Sequence, residues 1–554
     1  TPLYSSAASD VYKRQAAAHA LMSGGQPQGA RQLATSGLFD DVVTGDVIGA
    51  AAARATVLAE KGAPYPRARD GELDAAEVQS TVAAQRAKLT ARQKLQPAYG
   101  ALLAALAAST LPFDAGLQKE RDLFLALVPT TAAQAQRYQF KVEREATKLP
   151  PAFQVPAREV RSIAVIGAGT MGSGIAISAL DVGLAVLLLE QDGAALERGR
   201  QRIADHYRER VAAGKLSADA ASSNEARLQA SLEWERLQQA DLVIEAVFED
   251  LAVKQEVFRK IDVHARPGAV LATNTSYLDI DPIAAATSRP QDVLGLHFFS
   301  PANVMKLLEV VRGAKTAPGV LSTGMALGAT LKKMPVLTGN AFGFIGNRIY
   351  NAYRRQCEFM LEDGAWPEDV DTALTGLGFA MGPFAVADLS GLDIAWRMRK
   401  AQAATRDPRE RYVSILDQLC EAGRLGRKTG AGYYAYVDGK QVKAIDATVR
   451  GVIEQASAQR GIIRRALAPE EIQRRALLAM VNEAALLFAE GVASRPSDID
   501  VVLVQGYGFP RWEGGPVFWA RQQDRSQLES DLQRLADEAG FGFSLGNLEP
   551  LLST

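Results

Sequence analysis

Cysteine is nearly absent. Cys357 and Cys420 are the only two in 554 residues, which excludes a disulfide framework or a cysteine-ligated metal cluster and fits a reducing compartment. No apolar run reaches the roughly 18 to 20 residues that span a bilayer, so no membrane insertion is expected. The chain does not open with the basic-then-apolar layout of a secretory signal. Nor is there an excess of charge: 62 basic against 63 acidic residues leave a formal net charge of -1, too little to draw a polyanion, and nucleic acid is not an expected partner. The final residues, Leu551-Leu552-Ser553-Thr554, are not a peroxisomal address of the Ser-Lys-Leu type. A cytoplasmic location is therefore expected. Histidine is scarce as well, with four in the whole chain.

What is present is ordinary globular material, 47% hydrophobic and 23% charged, long enough for about three or four domains at roughly 100 to 200 residues each. Thr1 to Gln15 lack apolar periodicity and suggest a clipped N-terminus. Ala16 to about Glu60 reads as Ala-rich helix, broken at Ser23-Gly24-Gly25 and at the helix-turn-strand pattern beginning at Gly37. Gly62 to Arg69, with two prolines, reads as a linker, and Ala76 to Leu149 as a long amphipathic helical connector interrupted at Leu111-Pro112-Phe113-Asp114. Pro150, Pro151 and Pro156 then mark a new domain. Short apolar runs at Ser162 to Ile166, Ala185 to Leu189, Asp241 to Ala246, Ala269 to Ala272 and Val293 to Phe298 alternate with helical stretches, the pattern of a doubly wound parallel sheet. Beyond about Pro335 the text reads as helices only. The expected division is 1–60, 61–155, 156–338, 339–445 and 446–554.

The helical part contains a repeat. Gly376-Leu377-Gly378-Phe379 followed by Gly382-Pro383-Phe384 recurs as Gly506-Tyr507-Gly508-Phe509 followed by Gly515-Pro516-Val517-Phe518. Each copy is preceded by an acidic triplet, ending at Asp371 and Asp500. Two helical domains in tandem are expected.

Ile166-Gly167-Ala168-Gly169-Thr170-Met171-Gly172 carries the GxGxxG spacing between an expected strand and an expected helix. The glycines permit a tight turn, close approach of the backbone to a pyrophosphate and helix-on-strand packing, with the phosphates at the helix N-terminus. Glu190, eighteen residues after Gly172, closes the second strand. A carboxylate there binds ribose hydroxyls and repels a 2'-phosphate, so NAD is favoured over NADP. Taken without its context, the same text is only a glycine-rich turn with a Glu at a strand end.

Several segments resemble the 3-hydroxyacyl-CoA dehydrogenases: Glu245-Ala-Val-Phe-Glu249-Asp-Leu-Ala-Val-Lys254, Asn274-Thr275-Ser276, Leu296-His297-Phe298-Phe299 through Lys306-Leu-Leu-Glu309, and Gly343-Phe-Ile-Gly-Asn347. Leu111-Pro-Phe-Asp, Gly426-Arg-Lys-Thr-Gly and Gly506-Tyr-Gly-Phe-Pro-Arg narrow this to the bifunctional enoyl-CoA hydratase/3-hydroxyacyl-CoA dehydrogenases of fatty acid β-oxidation. The resemblance implies a Rossmann-type domain followed by two all-α dehydrogenase C-terminal domains. It also implies a hydratase remnant at the front, with the hydratase glutamates upstream of Thr1 and hydration accordingly absent.

The resemblance further implies the chemistry. Oxidising a secondary alcohol needs a base for the hydroxyl proton, and an imidazole suits that task. His297, at the end of an apolar strand, is that base, whereas His206 and His264 sit among charged helical neighbours and His19 lies in the front segment. Glu309 accepts the other imidazole N–H and stabilises the imidazolium. Ser276 and Asn347 hydrogen-bond the substrate oxygen, though each by itself could be a cap or turn residue. Glu249 and Asn274 join the glycine loop, Thr170 and Met171 in the cofactor site. Lys254 is either a cation near the CoA moiety or a solvated helix lysine. Ser300 and Ala341-Phe342 depart from the family's usual Asn and Thr-Pro. No metal is implied, and association with a thiolase has no supporting residue. A monomer is expected, the second helical copy covering an apolar face of the first. Two other readings share parts of this pattern: a different hydroxy-acid dehydrogenase, and a catalytically silent scaffold for acyl-CoA-processing enzymes. Acyl chain length and direction of flux leave no trace.

Overall fold

Four apolar residues in a row, Ile163, Ala164, Val165 and Ile166, are buried on both faces, as in a central strand of a covered parallel sheet. In the computed structural model, which describes residues 15–25, 27–34, 39, 41–63, 69, 73–442 and 444–553, this strand is β1. The chain forms two compact units, residues 1–134 and 135–554.

The regular elements of the first unit, among its described residues, are all helices. Helices Ala75–Lys88, Pro97–Ala108 and Phe113–Leu127 follow one another, and Ala18, Val78, Val82, Leu103 and Leu106 form its small core. The single connector read from the sequence is thus several helices. One break falls at Thr90, whose side chain forms a capping box with Gln93, and another at Gln96 before Pro97, since a residue ahead of proline is driven from helical geometry. The turn expected at Gly37 and the linker expected over Gly62 to Arg69 fall largely outside the described residues, as does the stretch Thr1 to Gln15 apart from Gln15 itself.

The second unit is built on an eight-stranded sheet. Its strands are β1 (Ser162–Ile166), β2 (Ala185–Leu189), β3 (Leu228–Ser231), β4 (Leu242–Glu245), β5 (Val270–Thr273), β6 (Val293–Phe298), β7 (Leu307–Arg312) and β8 (Met334–Gly339). Their spatial order is β3-β2-β1-β4-β5-β6-β7-β8. All neighbours are parallel except β6 and β7. Strand order reverses between β1 and β4, and such a switch point opens a crevice at the carboxyl ends of the strands. Side chains alternate between two layers: Ile163 and Val165 enter one core, Ala164 and Ile166 the other. Each fully buried isoleucine or valine side chain among them contributes about 1.5–3 kcal/mol.

The helices used below are α1 (Thr131–Ala146), α2 (Thr170–Leu180), α3 (Leu251–His264), α4 (Pro318–Thr330), α5 (Gly346–Asp363), α6 (Pro367–Leu377), α7 (Pro383–Ser390), α8 (Pro469–Ala489), α9 (Pro496–Gly506) and α10 (Pro516–Arg521). Helix α4 carries the crossover from β7 to β8. After β8 the chain is mainly helical, with one small hairpin, Tyr436–Val437 against Lys440–Gln441. The expectation of helices alone beyond Pro335 is corrected on two counts, by β8 and by this hairpin. Helices α5 and α8 pack along one another in the largest core of the molecule.

The repeated acidic triplets have matching environments. Asp371, at the heart of α6, accepts hydrogen bonds from the first amides of α7, Phe384 N at 3.0 Å and Ala385 N at 2.9 Å, and from the Tyr434 hydroxyl at 2.8 Å. Asp500 of α9 accepts from Val517 N at 2.8 Å and Phe518 N at 3.0 Å in α10, and from the Tyr138 hydroxyl at 2.7 Å. Burial pushes both carboxyls up, Asp371 to about 6 and Asp500 to about 7. Tyr138 belongs to α1, whose Gln139 also donates to the Gly514 carbonyl and whose Glu143 pairs with Arg511. The end of the expected linker is therefore docked on the second helical copy.

Candidate active site

Three structural devices assemble the glycine loop. Gly167 has a φ of 102°, and a Cβ there would lie 2.6 Å from the Ala246 carbonyl oxygen. A Cβ on Gly172 would lie 1.8 Å from the Gly167 oxygen, so any side chain would push α2 off the strand. Gly169, the residue before α2, has open space where a Cβ would be, leaving the helix N-terminus accessible to a phosphate. Thr170 and Met171 form the first turn of that helix. Glu190 follows β2 and accepts the Ala168 amide at 2.9 Å and the Gln191 amide at 2.7 Å. Its carboxylate therefore stands against the loop, with lone pairs remaining for ribose hydroxyls. These residues fit a dinucleotide.

His297 and Glu309 are directly opposed residues of the antiparallel β6–β7 ladder. His297 Nδ1 lies 2.7 Å from Glu309 Oε2. Because an ionised carboxylate only accepts, Nδ1 carries the proton and Nε2 is left for a ligand. Glu309 Oε1 accepts from Ile345 N at 3.1 Å and Gly346 N at 3.0 Å, where the positive end of α5 favours the negative charge. Both side chains are buried. The imidazole is flanked by Phe299 at 4.4 Å and Phe344 at 5.6 Å between ring centroids.

Asn347 is the next residue of α5. Its Nδ2 donates to the Ser276 carbonyl at 3.2 Å, and its Oδ1 accepts from the Tyr507 hydroxyl at 2.7 Å. Ser276 is held in turn by Glu249, whose Oε1 accepts from the Thr275 hydroxyl at 2.6 Å, Ser276 N at 2.7 Å and Tyr277 N at 3.2 Å. Among the described residues the Ser276 hydroxyl has no protein hydrogen-bond partner. Asn274 Oδ1 accepts from Phe298 N at 2.9 Å, joining the ends of β5 and β6.

Lys254 does not stand where either sequence reading puts it. Its side chain is fully buried, with Nζ 2.7 Å from Glu245 Oε1 and 3.4 Å from Glu249 Oε2. Its charge is spent on these two carboxylates, so it is neither solvated nor free for a CoA phosphate. Through Glu249 it supports the Ser276 turn instead. Glu245 also accepts from the Thr273 hydroxyl at 2.7 Å. It was not singled out as a site residue, although its place at the end of a strand beside a glycine loop was visible. Tyr507 was missed too, and its only signal was its place in the second repeat. Among the described residues no group of three metal-ligating side chains occurs, and no helix is long and apolar enough to cross a membrane.

Two family models match the chain. The 3-hydroxyacyl-CoA dehydrogenase NAD binding domain covers residues 162–341, and the corresponding C-terminal domain covers 343–436. The peroxisomal bifunctional enzyme of Danio rerio is 39% identical over 493 residues, 85% of this chain and 66% of that protein. The crystal structure of 3-hydroxybutyryl-CoA dehydrogenase from Escherichia coli is 30% identical, covering 69% of this chain and 94% of that one with a TM-score of 0.58. The dehydrogenase part of multifunctional enzyme 1 from Caenorhabditis elegans is 27% identical, covering 68% and 85%, with a TM-score of 0.50. The chain spans 59% to 66% of the length of the first curated relatives it matches. Their names overturn the cytoplasmic location expected from the sequence: relatives from animals and plants alike are named peroxisomal or glyoxysomal enzymes. The expectation rested on absences, of a bilayer-spanning run, a secretory signal and a peroxisomal tripeptide, and no such absence fixes a compartment. With a glycine loop that fits NAD, a buried His–Glu pair at the sheet edge and alignment over nearly the full length of a single-module dehydrogenase, the chain belongs to the 3-hydroxyacyl-CoA dehydrogenase family.

Proposed function

We propose that this chain oxidises (S)-3-hydroxyacyl-CoA to 3-oxoacyl-CoA with NAD, as a step of fatty acid β-oxidation. The observation that carries this reading is the His297–Glu309 pair, 2.7 Å apart and anchored on the first amides of α5. When bound at the glycine loop, NAD supplies the acceptor for the hydride that leaves C3. His297 Nε2 takes the proton of the C3 hydroxyl, and Glu309 stabilises the resulting imidazolium without taking that proton. Asn347 Nδ2 and the Ser276 hydroxyl donate to the substrate oxygen as its C–O bond becomes a carbonyl, which orients C3. Phe299 and Phe344 exclude water around the imidazole and strengthen the charge pair.

The test is the absorbance of NADH in the presence of acetoacetyl-CoA. His297→Gln should lower turnover by roughly 10²- to 10⁴-fold while NADH still binds. Retention of a tenth or more of the wild-type rate sinks the assignment. We also propose that the protein is a monomer, residues 460–554 taking the place of a second subunit, because α8 already covers α5 within the chain. A stable dimer in light scattering counts against it.

A further inference from the structure

We propose that Tyr507, supplied by the second helical copy, is a positioning residue of the dehydrogenase site that fixes which way the Asn347 amide faces. The sequence reading treats that copy as packing surface alone.

The argument starts from an ambiguity of asparagine. Its side chain can present either a carbonyl oxygen or an NH₂ group, and only the latter can donate to a substrate oxygen. At Asn347 two neighbours of opposite character remove the choice. The Ser276 backbone carbonyl can only accept, so the group 3.2 Å from it is the NH₂. The amide oxygen must then face the Tyr507 hydroxyl, which donates to it at 2.7 Å. Burial pushes the Tyr507 phenol well above its ordinary range, with the charge of Glu309 adding to the effect, so the hydroxyl keeps its proton and remains a donor. One N–H of Asn347 is used on Ser276. The other is left for a ligand.

The rest of the copy is shaped to bring Tyr507 there. Its ring lies edge-on to Phe299 at 5.5 Å, and Phe299 in turn flanks His297 at 4.4 Å. On its other side it packs on Tyr350 of α5 at 5.8 Å. Gly346, the residue before Asn347, leaves the space: a Cβ there would come within 2.2 Å of the Tyr507 ring. Gly506 is pressed onto β7 in the same way, where a Cβ would meet Leu307 at 2.4 Å. Two glycines, one from each copy, thus permit a single tyrosine to reach the residue next to the Glu309 anchor.

This inference rests on the proposed role of Asn347, and the consequence follows from charge. Without the Tyr507 hydroxyl only the 3.2 Å contact to the Ser276 carbonyl holds the amide, and an amide that turns offers its oxygen to a substrate oxygen that is gaining electron density. That contact is repulsive in the transition state.

The experiment is a double-mutant cycle on the full chain. Tyr507→Phe keeps the ring and its packing. It should lower kcat roughly ten-fold, the usual scale for one hydrogen bond, with a smaller change in KM and an unchanged Kd for NADH. In an Asn347→Ala background the same substitution should change kcat less than about two-fold. An undiminished effect in that background, or no effect in the wild-type background, overturns the proposal. Crystal structures of wild type and Tyr507→Phe provide an arm that needs no turnover. A rotated or doubly populated Asn347 amide supports the proposal, and an amide still donating to Ser276 as before overturns it. If wild type itself leaves NADH untouched by acetoacetyl-CoA, the reaction is refuted, and the crystallographic arm still decides the role of Tyr507.

Discussion

Glu309 lies directly across the β6–β7 ladder from His297, and its two carboxylate oxygens face opposite ways. One takes the imidazole Nδ1–H and the other takes two amides at the start of α5. The antiparallel pairing explains the twelve-residue spacing, since a strand, a connection and a returning strand bring the two side chains to the same rung. It also ties the base to the helical domain, because the amides that hold Glu309 are those of Gly346, the first residue of α5, and of Ile345 just before it.

Glu309→Gln removes the charge and keeps the shape. It should lower kcat by roughly 10²- to 10⁴-fold, as expected when the orienting carboxylate of a base is neutralised, and leave the Kd for NADH unchanged. Stopped-flow turnover with acetoacetyl-CoA measures the first and fluorescence titration the second. A loss below about five-fold would be too small for the role assigned.

Glu190→Ala should weaken NAD binding by about 10- to 100-fold, the loss expected for hydrogen bonds to a charged group worth about 1.5–3 kcal/mol. Affinity for NADP should fall less, because the repulsion of a 2'-phosphate disappears. Calorimetric titration of both cofactors checks this, and an unchanged NAD-to-NADP ratio would refute it.

Lys254→Met separates a buried ion pair from a ligand contact. Stranding Glu245 in the interior should cost about 3–5 kcal/mol of stability, read as a lower denaturant midpoint. A variant of unchanged stability with a raised KM for the CoA substrate would instead restore the role expected from the sequence.

Asp500 predicts a pH trend. Its carboxyl is raised to about 7 in the folded protein from an ordinary value of 3.8, chiefly by burial. The folded state therefore holds a proton that the unfolded state releases, so Asp500 makes stability fall as pH rises from about 4 to about 7. Asp500→Asn cannot ionise, and the Tm of the variant relative to wild type should climb between about pH 4 and about pH 7, whatever its offset. A constant difference across that range would show that Asp500 does not titrate there.

The sequence exposed those elements whose patterns are local. The five apolar runs became β1, β2, β4, β5 and β6. Strand β3 was hidden because it is an edge with an exposed Gln229, β7 because the buried Glu309 interrupts its apolar run, and β8 because Lys332, Lys333 and Pro335 disguise its start. At the site, the glycine loop announces itself by spacing, and His297 by its place at the end of an apolar strand within a block that resembles the family. The environment of Lys254 does not, because a lysine on a helix beside two glutamates has the same text whether the pair is solvated or sealed. Tyr507 is 160 residues from Asn347, and no periodicity reports a contact made by folding alone.

The matched aspartates carry a consequence for how the molecule is made. Asp371 receives its tyrosine from Tyr434, later in the same copy, but Asp500 receives Tyr138, synthesised 362 residues earlier. The second copy is therefore latched by a helix that leaves the ribosome before the nucleotide-binding sheet exists. During synthesis Tyr138, Gln139 and Glu143 wait for partners 362, 375 and 368 residues downstream, and contacts so distant in sequence form late. Closure of this unit thus waits on Asp500, and a ribosome that stops short of it releases the dehydrogenase sheet with its clasp undone.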